Sequence, residues 1–146
     1  MKGFNYYLDD ASEWRWNLKD GNHEIVADSG EGYKAKPDCE KGAQLFTSFG
    51  VDAPEREVTK PSSTNSGNGA EYEYFPGEND PDQWYWHFQA NNNKVIADGA
   101  EGYDSKSNVK RAITNVRSLL KEIGSSSGGG YMPPTTGGSS GPTRFA

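Results

Sequence analysis

The sequence predicts an α+β fold: two tandem β-β-β-α(-β) repeats forming one pseudo-two-fold unit with a shared antiparallel sheet and two packed helices. The first ground is internal identity. Trp14-Arg15-Trp16 recurs as Trp84-Tyr85-Trp86, the run Glu24 to Asp28 recurs as Lys94 to Asp98, and Glu31-Gly32-Tyr33 recurs as Glu101-Gly102-Tyr103, all at an offset of 70 residues. A fixed offset of this kind is duplication, and a duplicated unit buries its apolar surface against its neighbour. The second ground is a change of period inside each copy, from two to roughly 3.6 residues. The third is size, since a half of about 60 residues is close to the lower limit for a core of its own.

In the first copy Phe4, Tyr6 and Leu8 alternate with polar neighbours, residues 9–12 turn the chain, and Trp14, Trp16 and Leu18 alternate again, which predicts a hairpin. Asp20-Gly21-Asn22 supplies a second turn suited to positive φ, and Glu24–Asp28 reads as a third strand. Cys39, Ala43, Phe46 and Phe49 then fall at helical steps, with Pro37 in the first turn and Gly50 past the end. Glu55–Thr59 is a candidate fourth strand between Pro54 and Pro61.

The second copy opens with Tyr72, Tyr74 and Phe75, offset by 68 from Phe4, Tyr6 and Tyr7; a turn two residues longer than its partner restores the offset of 70. Its helix has Ser105 as cap and an apolar stripe of Val109, Ala112, Ile113, Val116, Leu119, Leu120 and Ile123. The expected boundaries are repeat 1 at 1–59, a linker at 60–71, repeat 2 at 72–124 and a Gly/Ser/Thr/Pro-rich flexible, disordered tail at 125–146.

The net charge of -6 is spread over the chain, with 8 basic and 12 acidic side chains in residues 1–60 and 7 and 9 in the remainder, so the overall field repels phosphate. The single cysteine, Cys39, excludes an internal disulfide. The first residues lack an apolar leader segment and no stretch has membrane-spanning length, so a soluble, cytoplasmic protein without membrane contact is expected.

The repeated pattern Trp-x-Trp-x-(apolar), a turn, (Ile/Val)-(Ile/Val)-Ala, Glu-Gly-Tyr and an apolar helix resembles the YegP-like family of unknown function, over about residues 4–59 and 72–123. The resemblance implies two β-β-β-α-β units joined in one sheet with exchanged C-terminal strands, acting as a covalent pseudo-dimer and so as a monomer in solution. It transfers no catalytic residue. Two departures stand out: Ile123 runs directly into a Gly/Ser stretch with no final strand, and Gly30 is matched by Ala100, leaving Gly32 and Gly102 as the shared positions suited to an unusual backbone angle.

Candidate sites follow from what the copies share. Trp14 with Trp16, and Trp84 with Trp86, each share a strand face, where they roof the core or stack a base or sugar. Glu31 and Glu101, with Tyr33 and Tyr103, precede the helices; structural roles at the helix start are expected, and acid–base chemistry at the repeat junction is the less favoured alternative. Asn22/Asn92, Asp28/Asp98 and Lys36/Lys106 are also shared. His23 falls in a turn and His87 on the strand face opposite Trp86, read as exposed, with no metal-ligand spacing around either. The acidic turn from Glu78 to Asp82 lacks the glycine and distal glutamate of a helix-loop-helix calcium site. Lys106, Lys110, Arg117 and Lys121 form a basic stripe on the second helix, a possible contact for nucleic acid or an acidic partner. Tyr131 and Phe145 are candidate recognition residues in the tail. No catalytic residue, metal or cofactor is expected. The overall expectation is a non-catalytic interaction or accessory module that uses a sheet or repeat-junction surface to meet an unidentified protein partner.

Overall fold

The computed structural model describes residues 3–61 and 69–127. The elements in chain order are β1 (Gly3–Leu8), β2 (Trp14–Lys19), β3 (Ile25–Ser29), α1 (Lys36–Gly50), β4 (Glu55–Glu57), β5 (Glu71–Pro76), β6 (Trp84–Gln89), β7 (Val95–Asp98) and α2 (Lys106–Ser127). The seven strands form one sheet in the order β1-β2-β3-β7-β6-β5-β4.

Each meander is antiparallel, and the two are joined through their third strands, with Asp28 opposite Asp98 and Ser29 opposite Ala97. The sheet as a whole is mixed, which corrects the expectation of an antiparallel one. β4 runs parallel to β5, Glu55 facing Tyr72 and Glu57 facing Tyr74. A hairpin can deliver only an antiparallel neighbour, whereas a chain returning from a helix can lie down in either sense. The short β4 returns from α1 and crosses to the far edge of the second meander.

Both meanders turn at a residue in the left-handed region, His23 at φ 66° and Asn93 at φ 70°. The conformation falls one residue beyond the Asp20-Gly21-Asn22 segment to which the sequence points. Asp20 fixes this turn by accepting the backbone N–H groups of Asn22 at 2.8 Å and Glu24 at 3.0 Å.

The helices cover one face of the sheet, where Trp16, Leu18, Tyr72, Trp86 and Phe88 meet Phe46 of α1 and Val109, Ile113, Val116 and Leu120 of α2. Phe46 is the hub: its ring centroid lies 5.6 Å from Trp16, 5.2 Å from Phe88, 6.3 Å from Tyr72 and 6.4 Å from Trp86. The buried row of α1 continues from Phe46 to Gly50, not to Phe49, which is 53% exposed. Tyr72 Oη donates to the Gly50 carbonyl at 2.7 Å, and a Cβ at Gly50 would stand 2.8 Å from both that oxygen and Leu120. The close approach of α1 to the sheet therefore selects glycine there and turns Phe49 outward.

α2 begins as the sequence indicates, with Ser105 Oγ accepting the Asn108 N–H at 3.1 Å. It does not stop at Gly124 but continues to Ser127, since one glycine weakens a helix without breaking it and no proline follows Gly124 until Pro133. The positions offset by 70 from β4 are thus helical. Most of the predicted linker, residues 62–68, and the tail from residue 128 lie outside the described residues.

Truncating the hub ring should be costly. Phe46→Ala is expected to lower unfolding stability by about 3–5 kcal/mol, read as the urea midpoint, against a change below about 1 kcal/mol for Phe49→Ala on the same helix. Equal effects would contradict the assignment of Phe46 as the shared centre of both copies.

Candidate functional site

On the sheet face away from the helices, the register aligns one polar side chain from every strand. The row runs Asn5, Asn17, Asp28, Asp98, His87, Glu73 and Arg56, each directly opposite the next. Asn17 lies between the core residues Trp16 and Leu18, and His87 between Trp86 and Phe88, which places the row on the opposite face.

The half of the row in the second meander is tightly bonded. His87 Nε2 lies 2.8 Å from Glu73 Oε1, Arg56 bonds Glu73 and also Glu71 Oε2, the latter through Nη2 at 2.7 Å and Nε at 3.0 Å. Glu73 is fully buried and His87 is 7% exposed, so the reading of His87 as an exposed strand-face residue is corrected. Its partner is 14 residues away in sequence but directly across a strand pair. In the first meander the corresponding positions are the uncharged Asn5 and Asn17.

At the centre of the row two carboxyl groups meet. Burial, the hydrogen bond that the Asp98 carboxyl donates to the Asp28 carboxylate and the charge of Asp28 push Asp98 up to about 8, against a lowering by Arg15. Two carboxylates held together in a partly desolvated seam cannot both ionise at neutral pH, and Asp98 keeps the proton. Gly30 in the same seam lies against the Val95 backbone, where a Cβ would clash.

Beside this pair a cavity of about 370 Å³ opens between β5, β6 and β7, lined by Phe75, Tyr85, Trp86, His87, Val95, Asp98 and Gly99. Phe75 and Tyr85 stack with centroids 6.5 Å apart, the Phe75 and His87 rings meet T-shaped with centroids 5.3 Å apart, and Tyr85 Oη donates to Asp80 Oδ2 at 2.6 Å. The lining of this open cavity thus combines aromatic and ionisable side chains.

The residues singled out by the repeat are dispersed. Trp16 and Trp86 are buried beneath the helices, and the half-buried Trp14 and Trp84 are topped by the ammonium groups of Lys36 at 5.3 Å and Lys106 at 5.5 Å. That gives the shared lysines a common role. Tyr33 and Tyr103 pair by backbone bridges with Trp14 and Trp84, and burial followed by the Glu31 charge pushes the Tyr33 phenol up to about 12. Glu31 and Glu101 each follow the central aspartate by three residues on antiparallel strands, so the register carries them to opposite ends of the seam. The carboxylates it brings together are Asp28 and Asp98. Gly32 and Gly102 do not have positive φ; a Cβ at Gly32 would come 2.9 Å from the Glu13 Cβ and one at Gly102 3.0 Å from the Tyr85 ring, so contact rather than backbone angle selects glycine.

Three cations of the basic stripe on α2 are engaged within the chain. Lys106 pairs with Glu57 at 3.1 Å, Lys110 stands 5.8 Å from the Tyr74 centroid, and Arg117 bonds Glu55 at 3.1 Å while lying 4.8 Å over the Tyr72 ring. Lys121 is exposed near the end of the helix. Cys39 is buried, and desolvation raises its thiol to about 12, which removes it as a nucleophile near neutral pH. Among the described residues, no three His, Cys, Asp or Glu side chains converge to hold a metal ion and no helix is long and apolar enough to cross a membrane. Tyr131 and Phe145 lie outside the described residues.

The sequence profile of the domain of unknown function DUF1508 matches residues 9–54 and 80–121, one segment in each meander-and-helix unit. The chain belongs to the DUF1508 family. A UPF0339 protein of Neisseria meningitidis serogroup B is 44% identical over 55 residues, spanning 38% of this chain and 96% of that protein, and a UPF0339 protein of serogroup A matches to the same extent. Among solved structures, the protein of unknown function yegP from E. coli is similar over 82% of this chain and 87% of its own, with TM-score 0.61 and 22% identity. A UPF0339 protein of Shewanella oneidensis is similar over 81% and 83%, with TM-score 0.59 and 19% identity. These likenesses support the resemblance to YegP-like proteins and the fold, and the family's biochemical role is unknown.

Two outcomes test this geometry in the DUF1508 chain. Arg117→Ala removes a partly buried ion pair and a ring contact, and should cost about 1–2 kcal/mol of unfolding stability, whereas Lys121→Ala should stay within about 0.5 kcal/mol. For Asp98, a folded pKa above the unfolded carboxylate value of about 3.9 means the folded state holds the extra proton between the two. Its contribution to stability is present below pH 4 and is lost as pH rises through about 8. Asp98→Asn should therefore raise Tm at pH 9 by more than at pH 5, and a constant difference across that range would contradict the shared-proton arrangement.

Proposed function

We propose that this chain is a covalent pseudo-dimer whose role is non-catalytic binding, with the sheet face away from the helices as its recognition surface. The observation that supports this most is the polar row crossing all seven strands, with a cavity beside its centre. A face needed only for solubility has no reason to bury a histidine and a glutamate and bond them in a network with a half-exposed arginine, which costs desolvation and is retained where it fixes specific geometry. The central register, in which Asp28 faces Asp98 and Ser29 faces Ala97, is what a two-fold axis through the aspartate pair produces.

The reading agrees with the chemistry of the site. Burial and the Asp28 charge hold the Asp98 carboxyl well above the usual carboxylate range and the thiol of Cys39 is buried, so among the described residues neither of these two is an activated nucleophile. Nucleic-acid contact through Lys106, Lys110, Arg117 and Lys121 stands second, because three of those side chains already serve internal partners.

Amide-shift mapping with a chemically mixed fragment library tests the surface, and sedimentation equilibrium tests the pseudo-dimer. Shifts clustering on β2, β3, β6 and β7, with a concentration-independent mass of 16.0 kDa, are expected. Hits confined to α2, or a mass doubling with concentration, would contradict the respective halves of the proposal.

A further inference from the structure

The two copies answer the same structural question differently at one position, and the difference identifies a ligand class. Arg15 on β2 and Tyr85 on β6 are equivalent in the repeat, and each side chain reaches a carboxylate of the preceding turn: Arg15 Nε to Asp9 Oδ2 at 2.5 Å, Tyr85 Oη to Asp80 Oδ2 at 2.6 Å. In the first copy a guanidinium thus sits on the turn carboxylate, and its charge acts on Asp98. In the second copy the cation is replaced by a phenol, and the cavity lined by Phe75, Tyr85, His87 and Asp98 lies beside the same aspartate pair.

We infer that this cavity is a binding site for a small organic cation with a flat body, such as an aryl amine, amidine or guanidine. This rests on the reading of the sheet face as a binding surface and names what that surface takes. Three features converge on it. The stacked Phe75 and Tyr85 rings line the cavity with aromatic surface that attracts a cation and a planar body. Asp98 supplies a carboxyl that a bound cation would ionise, and the buried His87, held by Glu73, gives the wall a fixed polar group. The molecule's net charge of -6 raises the local concentration of cations around it. The guanidinium of Arg15 in the first copy shows that a turn carboxylate in this setting holds a planar cation.

The test uses the full chain labelled for amide NMR and three near-isosteric probes: benzamidine, which is cationic, benzamide, which is neutral, and benzoate. Benzamidine is expected to bind with a Kd of roughly millimolar order, shifting the amides of Tyr85, His87, Asp98 and Gly99, and at least about tenfold more tightly than either other probe. Asp98→Asn should weaken benzamidine by about tenfold without equalising the fold to a disordered spectrum. Tyr85→Arg, which introduces into the second copy the side chain the first copy already has, should abolish binding while leaving the remaining amide positions in place. Should benzamide or benzoate bind the cavity as well as benzamidine does, the cation assignment is overturned while the binding surface stands. If none of the three shifts these amides, the cation site is overturned, and the fragment mapping decides separately whether the surface survives.

Discussion

The pairing of β3 with β7 is the constraint on which the rest of the molecule depends. Each meander ends in a strand with an unpaired edge, and closing those edges on each other builds a continuous sheet with both helices on one side. The register puts Asp28 opposite Asp98 and Ser29 opposite Ala97, so a residue on the non-core face of one copy faces its own counterpart. A side chain at such a place must tolerate itself. For an aspartate, tolerance means sharing a proton, and the seam holds Asp98 in its acid form because releasing it would leave two charges in a partly dry cleft.

From that centre outward the copies diverge in chemistry while keeping the packing. The helix-side residues are closely matched, Trp16 with Trp86 and Leu18 with Phe88, because Phe46 and the α2 stripe must be filled from both sides. On the other face, uncharged Asn5 and Asn17 of the first copy stand where the second has Glu73 and His87, and β4 adds Arg56 to the charged half. The exchange of β4 to the far edge is therefore more than a fold device. It delivers, from the first copy, the cation that satisfies two buried glutamates of the second. Losing Arg56 would remove the guanidinium bonded to two buried carboxylates, a heavier penalty than breaking an exposed pair.

Much of this was legible in the sequence where the information is local. Alternation around Trp14 and Trp16 identifies β2, the stripe from Val109 to Leu120 identifies α2, and Ser105 marks its start. Phe49 was misplaced because helical spacing alone does not say which of two adjacent rows faces the sheet; the close approach at Gly50 decides that. The sense of β4 and the extension of α2 past Gly124 depend on where the chain must travel in space. The site itself was the least legible part, because its bonds run across strands: His87 to Glu73 over one pair, Asp28 to Asp98 over the seam between copies. The one available signal was that Asp28 and Asp98 are kept on the non-core face of the last strand in each meander. Two meanders joined through those strands place such residues against each other, whereas Glu31 and Glu101, three residues further on, are carried apart.

The central claim is that the junction of the two copies holds a pair of carboxyl groups with one proton between them. Recording the side-chain carboxyl carbon shifts of the aspartates by NMR from pH 4 to pH 10, in the wild type and in Asp28→Asn, tests it most directly. The account predicts that Asp98 titrates near pH 8 in the wild type and moves down towards the ordinary carboxylate range when the Asp28 charge is removed. An Asp98 midpoint near 4 in the wild type, unchanged by Asp28→Asn, would contradict it.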